Sequence, residues 1–329
     1  MNFSNVITDY ETLRLNYCYR DGFVFTSISE PANIYDAILI RNPISCNTNS
    51  PIFGFSNRSL DEHIAFINKH KISKAIVIAE NLEFITNCPS LEHLVIIPSN
   101  SDGFSLDYSP LYEMKRIFSL DCYPCFNTKQ PSLLTVIDCS KISGLRKLWV
   151  RYSGVINYEN INSLEELYLY DCKKLSDLRT IGSDTNLKKL SCISCGLKSL
   201  NGIENLKQLQ WFDVSYCKAL YDINMLSNIH ESLRMLSIES CSRISDFSCL
   251  SHLDKIEFLE LLGNNAISNL DFISAMHNLQ LFSCTMNVVD GNISPCLSIP
   301  YADLKNRKHY NLKNAELSKI INPRGFQFT

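Results

Sequence analysis

The sequence has no run of 18 consecutive apolar residues, so no membrane-spanning helix is expected. It has no strong charge of either sign: 31 basic residues face 34 acidic ones, for a net charge of −3. Nucleic acid rewards a concentrated basic surface, so this balance argues against a nucleic-acid partner. Motifs of phosphate and hydrolytic chemistry are missing too. There is no glycine-rich phosphate loop, no His-Glu-x-x-His and no Gly-x-Ser-x-Gly. Residues Met1 to Leu13 carry no basic stretch ahead of an apolar one, so no secretory signal is read and a cytoplasmic protein is expected. Tryptophan is scarce, with two in 329 residues, so the position of each carries information.

What is abundant is leucine at a fixed period. One copy reads Leu164, Leu167, Leu169, Cys172, Leu175, Leu178. The next reads Leu187, Leu190, Cys192, Cys195, Leu197, Leu200. Four more start at Leu209, Leu233, Ile256 and Leu279, and successive starts lie 22 to 24 residues apart. The template is that of a leucine-rich repeat. Weaker copies precede it at Leu145-Leu148-Val150, Leu91-Leu94-Ile96 and Ile72-Ala75-Val77, with a degenerate one at Met114-Ile117-Ser119.

The physics of the template is short. A strand alternates its side chains between two faces, so positions four and six point inward and positions three, five and seven outward. Position nine turns the chain, and Cys or Asn there bonds buried backbone. One copy cannot bury its own apolar face, so copies stack and their strands join into one parallel sheet. The expected fold is an α/β right-handed solenoid. Its parallel sheet lines a concave face, and short helices, 3-10 turns and loops form the convex side.

The expected organisation has three parts. Residues 1–71 hold N-terminal strands and a capping helix. Its start is Ser59, with Glu62 three residues on, and Ile64 and Ile67 turn inward. Residues 72–293 form the solenoid, broken by an irregular insertion at about 120–135. Residues 294–329 form a C-terminal cap.

Most of the 14 cysteines fit this scheme as small buried hydrophobes. Cys172, Cys195, Cys217 and Cys241 all occupy position nine. The exception is Cys122-Tyr123-Pro124-Cys125, in the insertion. Such a pair serves redox or metal chemistry when it opens a helix after a strand, a context absent here. An enzyme or metal-redox protein built on Cys122 and Cys125 is therefore the rival reading. No cofactor is expected.

The register names the residues facing the hollow. Lys147, Trp149 and Arg151 come from one copy, with Tyr152 following. Tyr168 and Tyr170 come from the next, then Trp211 and Asp213 with Tyr216 beyond them, Glu239, and finally Phe258 with Glu260. Both tryptophans fall here, and exposed aromatics and arginines are the residue types that anchor protein interfaces. Charge divides along the face. Arg116, Lys147, Arg151 and Lys189 lie early, and Asp213, Glu239 and Glu260 late. Glu166 and Asp171 interrupt the basic part, which again disfavours nucleic acid.

The repeat step, the phrase Leu197 to Leu206, and the closing phrases Asn287 to Cys296 and Asn306 to Lys313 resemble the bacterial leucine-rich-repeat proteins grouped with the internalins. The resemblance covers about residues 55–320. It implies the solenoid fold and carries over no catalytic residue. The functional expectation is a monomeric, non-catalytic module that binds a protein partner on the concave face. Its concrete form is a bacterial immunity or inhibitor protein against a toxin or enzyme, and an intracellular scaffold is the alternative.

Overall fold

The computed structural model describes residues 17–26, 36–42, 56–98, 106–123, 137–151, 155–181 and 186–320. The chain divides into two compact units, Met1–Tyr158 and Glu159–Thr329.

The first unit opens with an antiparallel hairpin of β1 (Tyr17–Arg20) and β2 (Phe23–Thr26). Its two-residue turn is Asp21-Gly22, both with positive φ, the conformation that matches the twist of paired strands. Strand β2 pairs antiparallel with β3 (Ala37–Asn42). Helix α1 (Leu60–His70) then crosses back, and pairing is parallel onward. The order continues through β4 (Lys74–Ala79), β5 (His93–Pro98), the short helix α2 (Ser109–Glu113), β6 (Ser119–Cys122), the two-residue β7 (Ile137–Asp138), β8 (Lys147–Arg151) and β9 (Val155–Ile156). Strands β3 to β6 and β8 are the parallel part of this sheet.

Helix α1 starts as its sequence dictates. Ser59 Oγ accepts from the Glu62 backbone at 3.2 Å, and Glu62 Oε2 accepts from the Ser59 backbone at 2.7 Å. Ile67 is buried as expected, but Ile64 is only half-buried. The other buried position is His63, whose ring meets Phe23 edge-on at 4.9 Å. Burial holds the His63 imidazole below its usual pKa, and its Nδ1 lies 2.8 Å from the Ser59 carbonyl.

The second unit is more regular. Strands β10 (Glu166–Tyr170), β11 (Lys189–Ile193), β12 (Trp211–Ser215), β13 (Met235–Glu239) and β14 (Phe258–Leu262) pair parallel, each in register with the next. After β15 (Ala266–Ile267) come β16 (Leu281–Cys284), β17 (Asn287–Val288) and β18 (Tyr301–Leu304). Strand β18 adds parallel to β16, so the segment read as a cap also extends the sheet. Returning segments carry 3-10 turns such as Ile203–Asn205 and Asn224–Ile229. Positions one, four and six of every copy in this unit are buried.

The turn after each strand repeats as well. Position eight has positive φ in five consecutive copies: Asp171, Ser194, Tyr216, Ser240 and Gly263. Position nine then points its thiol at buried carbonyls. Cys195 reaches Leu169 O at 3.4 Å, Cys217 reaches Cys192 O at 3.4 Å, and Cys241 reaches Val214 O at 3.5 Å. A thiol is small enough for this buried turn and reaches those strand carbonyls as a weak S–H donor. In the next copy, where position nine is Asn264, the role passes to Asn265, one residue beyond it. Its amide donates to Cys241 O and Ile244 O, both at 2.9 Å, while Asn264 is exposed.

Candidate partner-binding face

The face opposite the leucine core follows from register. In the second unit, position three runs Glu166, Lys189, Trp211, Met235, Phe258, Leu281 across neighbouring strands. Position five runs Tyr168, Ser191, Asp213, Ser237, Glu260, Ser283, and position seven runs Tyr170, Ile193, Ser215, Glu239, Leu262.

Tyr168 and Trp211 meet on this face, with ring centroids 6.3 Å apart. Both are half-buried, as is Tyr170. The Tyr168 hydroxyl donates to Glu166 Oε2 at 2.8 Å, and Lys189 Nζ stands 3.8 Å from the other Glu166 oxygen. Burial, with the Glu166 charge behind it, raises the Tyr168 pKa well above that of a free phenol, so the ring stays neutral and donates.

The acidic end departs from the expected open surface. Asp213 is buried and accepts from Ser191 Oγ and Ser215 Oγ, each at 2.7 Å. Burial raises its pKa against the pull of those two bonds, and Glu239 adds to the rise. Glu260 is only 7% exposed and is raised by burial in the same way. Phe258 is 2% exposed. Met235 and Leu281 flank it in register, and strand spacing near 4.8 Å presses such apolar chains together. Asp213, Glu260 and Phe258 are therefore not freely exposed, as alternation alone predicts. The serines that hold Asp213 were not singled out in the sequence. Their signal was present, because Ser191 and Asp213 share position five on adjacent strands.

Tyr216 is 47% exposed and donates to Glu239 Oε1 at 2.6 Å. Its φ is 57°, at a position where the other copies use Asp, Ser and Gly. A bulky residue in the left-handed region costs about 1–2 kcal/mol. Tyr216→Gly should therefore stabilise the protein by about 1 kcal/mol in urea unfolding. If Tyr216 serves binding, the same variant should lose partner capture. Stability falling instead would show that the ring is kept for packing.

In the first unit, Lys147 and Trp149 are half-buried. Arg151 is not free for a partner: it is 7% exposed and forks onto Asp121, with bonds of 2.8 and 2.9 Å. Its guanidinium also lies 4.1 Å from the Tyr123 ring centre and donates to the Tyr123 hydroxyl at 3.2 Å. Tyr152 lies outside the described residues.

The degenerate copy is shifted by three residues from the expected register. Ser119 pairs with His93 and Lys147, so Leu120 and Cys122 point inward and Arg116 precedes the strand. Leu120 and Cys122 are buried accordingly, and Cys122 is a core residue rather than part of an open insertion. Burial pushes its thiol pKa well up, which disfavours the thiolate that redox or metal chemistry needs. Cys125 lies outside the described residues. The outward face of the neighbouring strands is apolar: Leu39, Ile76, Ile78, Ile97 and Tyr123 belong to one buried cluster.

No family model matches the chain. Among solved structures, an internalin (inlF) from Listeria monocytogenes is 18% identical, with 78% of this chain and 75% of that one covered, at a TM-score of 0.52. The fold is the leucine-rich-repeat fold. The functional domain of InlJ from Listeria monocytogenes, described as including a cysteine ladder, is 19% identical over 68% of this chain and 50% of that one, at a TM-score of 0.47. A Trypanosoma equiperdum protein, named for adenylate cyclase regulation, is 33% identical over 95 residues. That match spans 27% of this chain and 14% of the curated relative's length. Among the described residues of the leucine-rich-repeat chain, no helix is long and apolar enough to cross a membrane.

Proposed function

We propose that this chain is a non-catalytic protein-binding module that holds a protein partner on the outward face of its parallel sheets. The observation that carries this reading is the Tyr168–Trp211 pair at 6.3 Å, half-buried on a sheet whose other face is fully committed to the core. Repeat solenoids present such sheet faces as extended binding surfaces, and large aromatics supply contact area at low entropic cost. The finer reading is a bacterial immunity or inhibitor protein that masks a toxin or enzyme in the cytoplasm. Likeness to Listeria structures and twelve free cysteines among the described residues support a bacterial protein of a reducing compartment.

The test is capture of the partner from the source organism by the full tagged chain. The Trp149→Ala/Trp211→Ala double variant should melt at the same temperature and lose at least tenfold in partner affinity. Undiminished capture would move the site off this face.

A further inference from the structure

The two rims of the second unit's sheet differ in charge. Its strands run parallel, so one rim collects the residues before each strand and the other collects the turns after each strand. The rim before the strands is balanced and paired. Lys188 meets Glu165 at 3.4 Å, Arg234 meets Glu257 at 3.9 Å, and Lys255 meets Asp254 at 3.6 Å. The rim after the strands is of one sign. Its turns are residues 171–174, 194–196, 216–219, 240–243, 263–266, 285–287 and 305–309, all of them described. They carry Lys173, Lys174, Lys218, Arg243, Lys305 and Lys308, together with Arg307, which donates to Thr285 O at 3.2 Å. Asp171 is the single acid in these turns, and Lys173 neutralises it at 2.5 Å. Lys174, Lys218, Arg243, Lys305 and Lys308 are exposed and have no carboxylate partner among the described residues.

These turns form one continuous edge. Asp171 N donates to Ile193 O, Ser194 N to Ser215 O, Tyr216 N to Glu239 O and Ser240 N to Leu262 O, each at 2.8 Å. Bonding from coil to coil therefore carries on past the strand ends. The turn after β10 and the turn after β18 are six strand steps apart, roughly 29 Å at the usual spacing. An extended polypeptide covers that distance in about nine residues. Tyr216 stands in this row between Lys174 and Arg243. It is 47% exposed and holds left-handed backbone, which a bulky residue takes only at a cost. Its hydroxyl donates to Glu239 Oε1, so the acid at the end of β13 is already engaged.

We propose that this rim binds an acid-rich, extended segment of a protein, with its carboxylates on the free cations and a side chain packed on the Tyr216 ring. The proposal stands apart from the sheet-face site, because it needs neither Tyr168 nor Trp211. A row of one sign with no internal partners favours a ligand of the opposite sign. Nucleic acid is the poorer match. Duplex DNA carries a charge about every 1.7 Å, whereas five free cations share roughly 29 Å here. Asp177, Asp222 and Asp246 follow on the returning segments, each accepting a backbone N–H, at 3.1, 3.0 and 2.9 Å. They oppose a densely charged backbone more than a peptide whose acids alternate with neutral residues.

The test titrates the full chain with a capped Glu-Gly repeat peptide of about nine residues, its Gln-Gly counterpart and an oligothymidylate of equal length. Salt is held at about 0.1 M, where exposed charges more than about 10 Å apart are screened from each other. The five-residue strands keep the two rims roughly 16 Å apart, so each rim is read separately. The Glu peptide should bind and the Gln peptide should not. Lys218→Glu/Arg243→Glu should weaken binding about tenfold, because two exposed attractions become repulsions. Lys188→Glu/Lys255→Glu makes the same change in net charge on the opposite rim and should leave binding within about twofold. Tyr216→Gly keeps the turn's backbone and should weaken binding severalfold. Melting curves check that each variant folds. Failure of the Glu peptide to bind overturns the proposal, as does equal loss from the two charge-reversed pairs, which would mean that net charge alone is read. Binding of the Gln peptide, or tighter binding of the oligothymidylate, overturns it too. Glu-peptide binding that is lost in Trp211→Ala but kept in Lys218→Glu/Arg243→Glu would move the acidic segment to the sheet face and end the rim site.

Discussion

Arg151→Ala should destabilise the first unit by about 3–5 kcal/mol, the loss seen when one member of a buried ion pair is removed. The size comes from what is left behind. Asp121 is 9% exposed, and both of its oxygens are engaged by the Arg151 fork at 2.8 and 2.9 Å. With the guanidinium gone, the carboxylate stays on a face lined by Leu39, Ile76, Ile78 and Ile97. It must then take up a proton or draw in water. The Tyr123 ring also loses the cation stacked 4.1 Å from its centre. The companion variant separates pair from packing. Asp121→Leu/Arg151→Met replaces the pair with apolar chains of similar bulk and should recover most of the loss. Urea unfolding of the single and double variants at pH 7 reads both effects. A loss below 1 kcal/mol for Arg151→Ala would mean that Asp121 finds solvent or another donor, and that the face is more open than its burial indicates.

The same residue marks where sequence reasoning stopped. The core of the second unit was legible because six copies repeat within 22–24 residues and each inward position is apolar. The register of Glu166, Lys189, Trp211, Met235 and Phe258 across the sheet was legible for the same reason. Alternation tells which face a side chain leaves from, and nothing about what lies over that face. Arg151, Asp213, Phe258 and Glu260 therefore have the expected parity and the wrong expected exposure. The degenerate copy failed differently. Met114, Ile117 and Ser119 fit the spacing about as well as Ile117, Leu120 and Cys122, and one weak copy cannot choose between registers three residues apart. Of the N-terminal strands, only Phe23–Thr26 and the one after it were expected; Tyr17–Arg20 was missed, although Asp21-Gly22 between it and Phe23–Thr26 is a strong turn signal. The position-nine cysteines were read correctly because their role depends only on the turn, which recurs.

The aromatic and acidic parts of the outward face differ in how they can be tested. Trp211 offers surface area, whereas Tyr168 also donates to Glu166, so truncating Tyr168 removes that bond as well as contact. Asp213 is woven into a serine network, so its removal disturbs the fold and the face together. Surface variants should therefore be read first at Trp211.

Gly202→Ala should cost about 3–5 kcal/mol, the second large effect, and it acts on the opposite side of the repeat. Gly202 lies where the chain returns behind the sheet, with φ of 102°, a conformation that L side chains rarely adopt. A Cβ there would sit 2.3 Å from both Arg179 N and Leu178 C in the preceding copy. Those are backbone atoms, and they are pinned: Leu178 N donates to Asn201 O at 2.8 Å. Neither coil can yield without opening the stack beneath Leu178 and Leu200, which are fully buried. The strain and the clash therefore add. Gly144 is the internal control. It has φ of 82°, but its nearest heavy atom to a built Cβ is Ile117 O at 3.9 Å. Gly144→Ala should show the dihedral cost alone, about 1–2 kcal/mol. The difference between the two variants in urea midpoint, at unchanged slope, measures how closely successive coils are stacked. Equal effects would mean that the returning segments can separate by the width of a methyl group without disturbing the sheet. The close backbone approach at Gly202 would then not be what sets the repeat spacing.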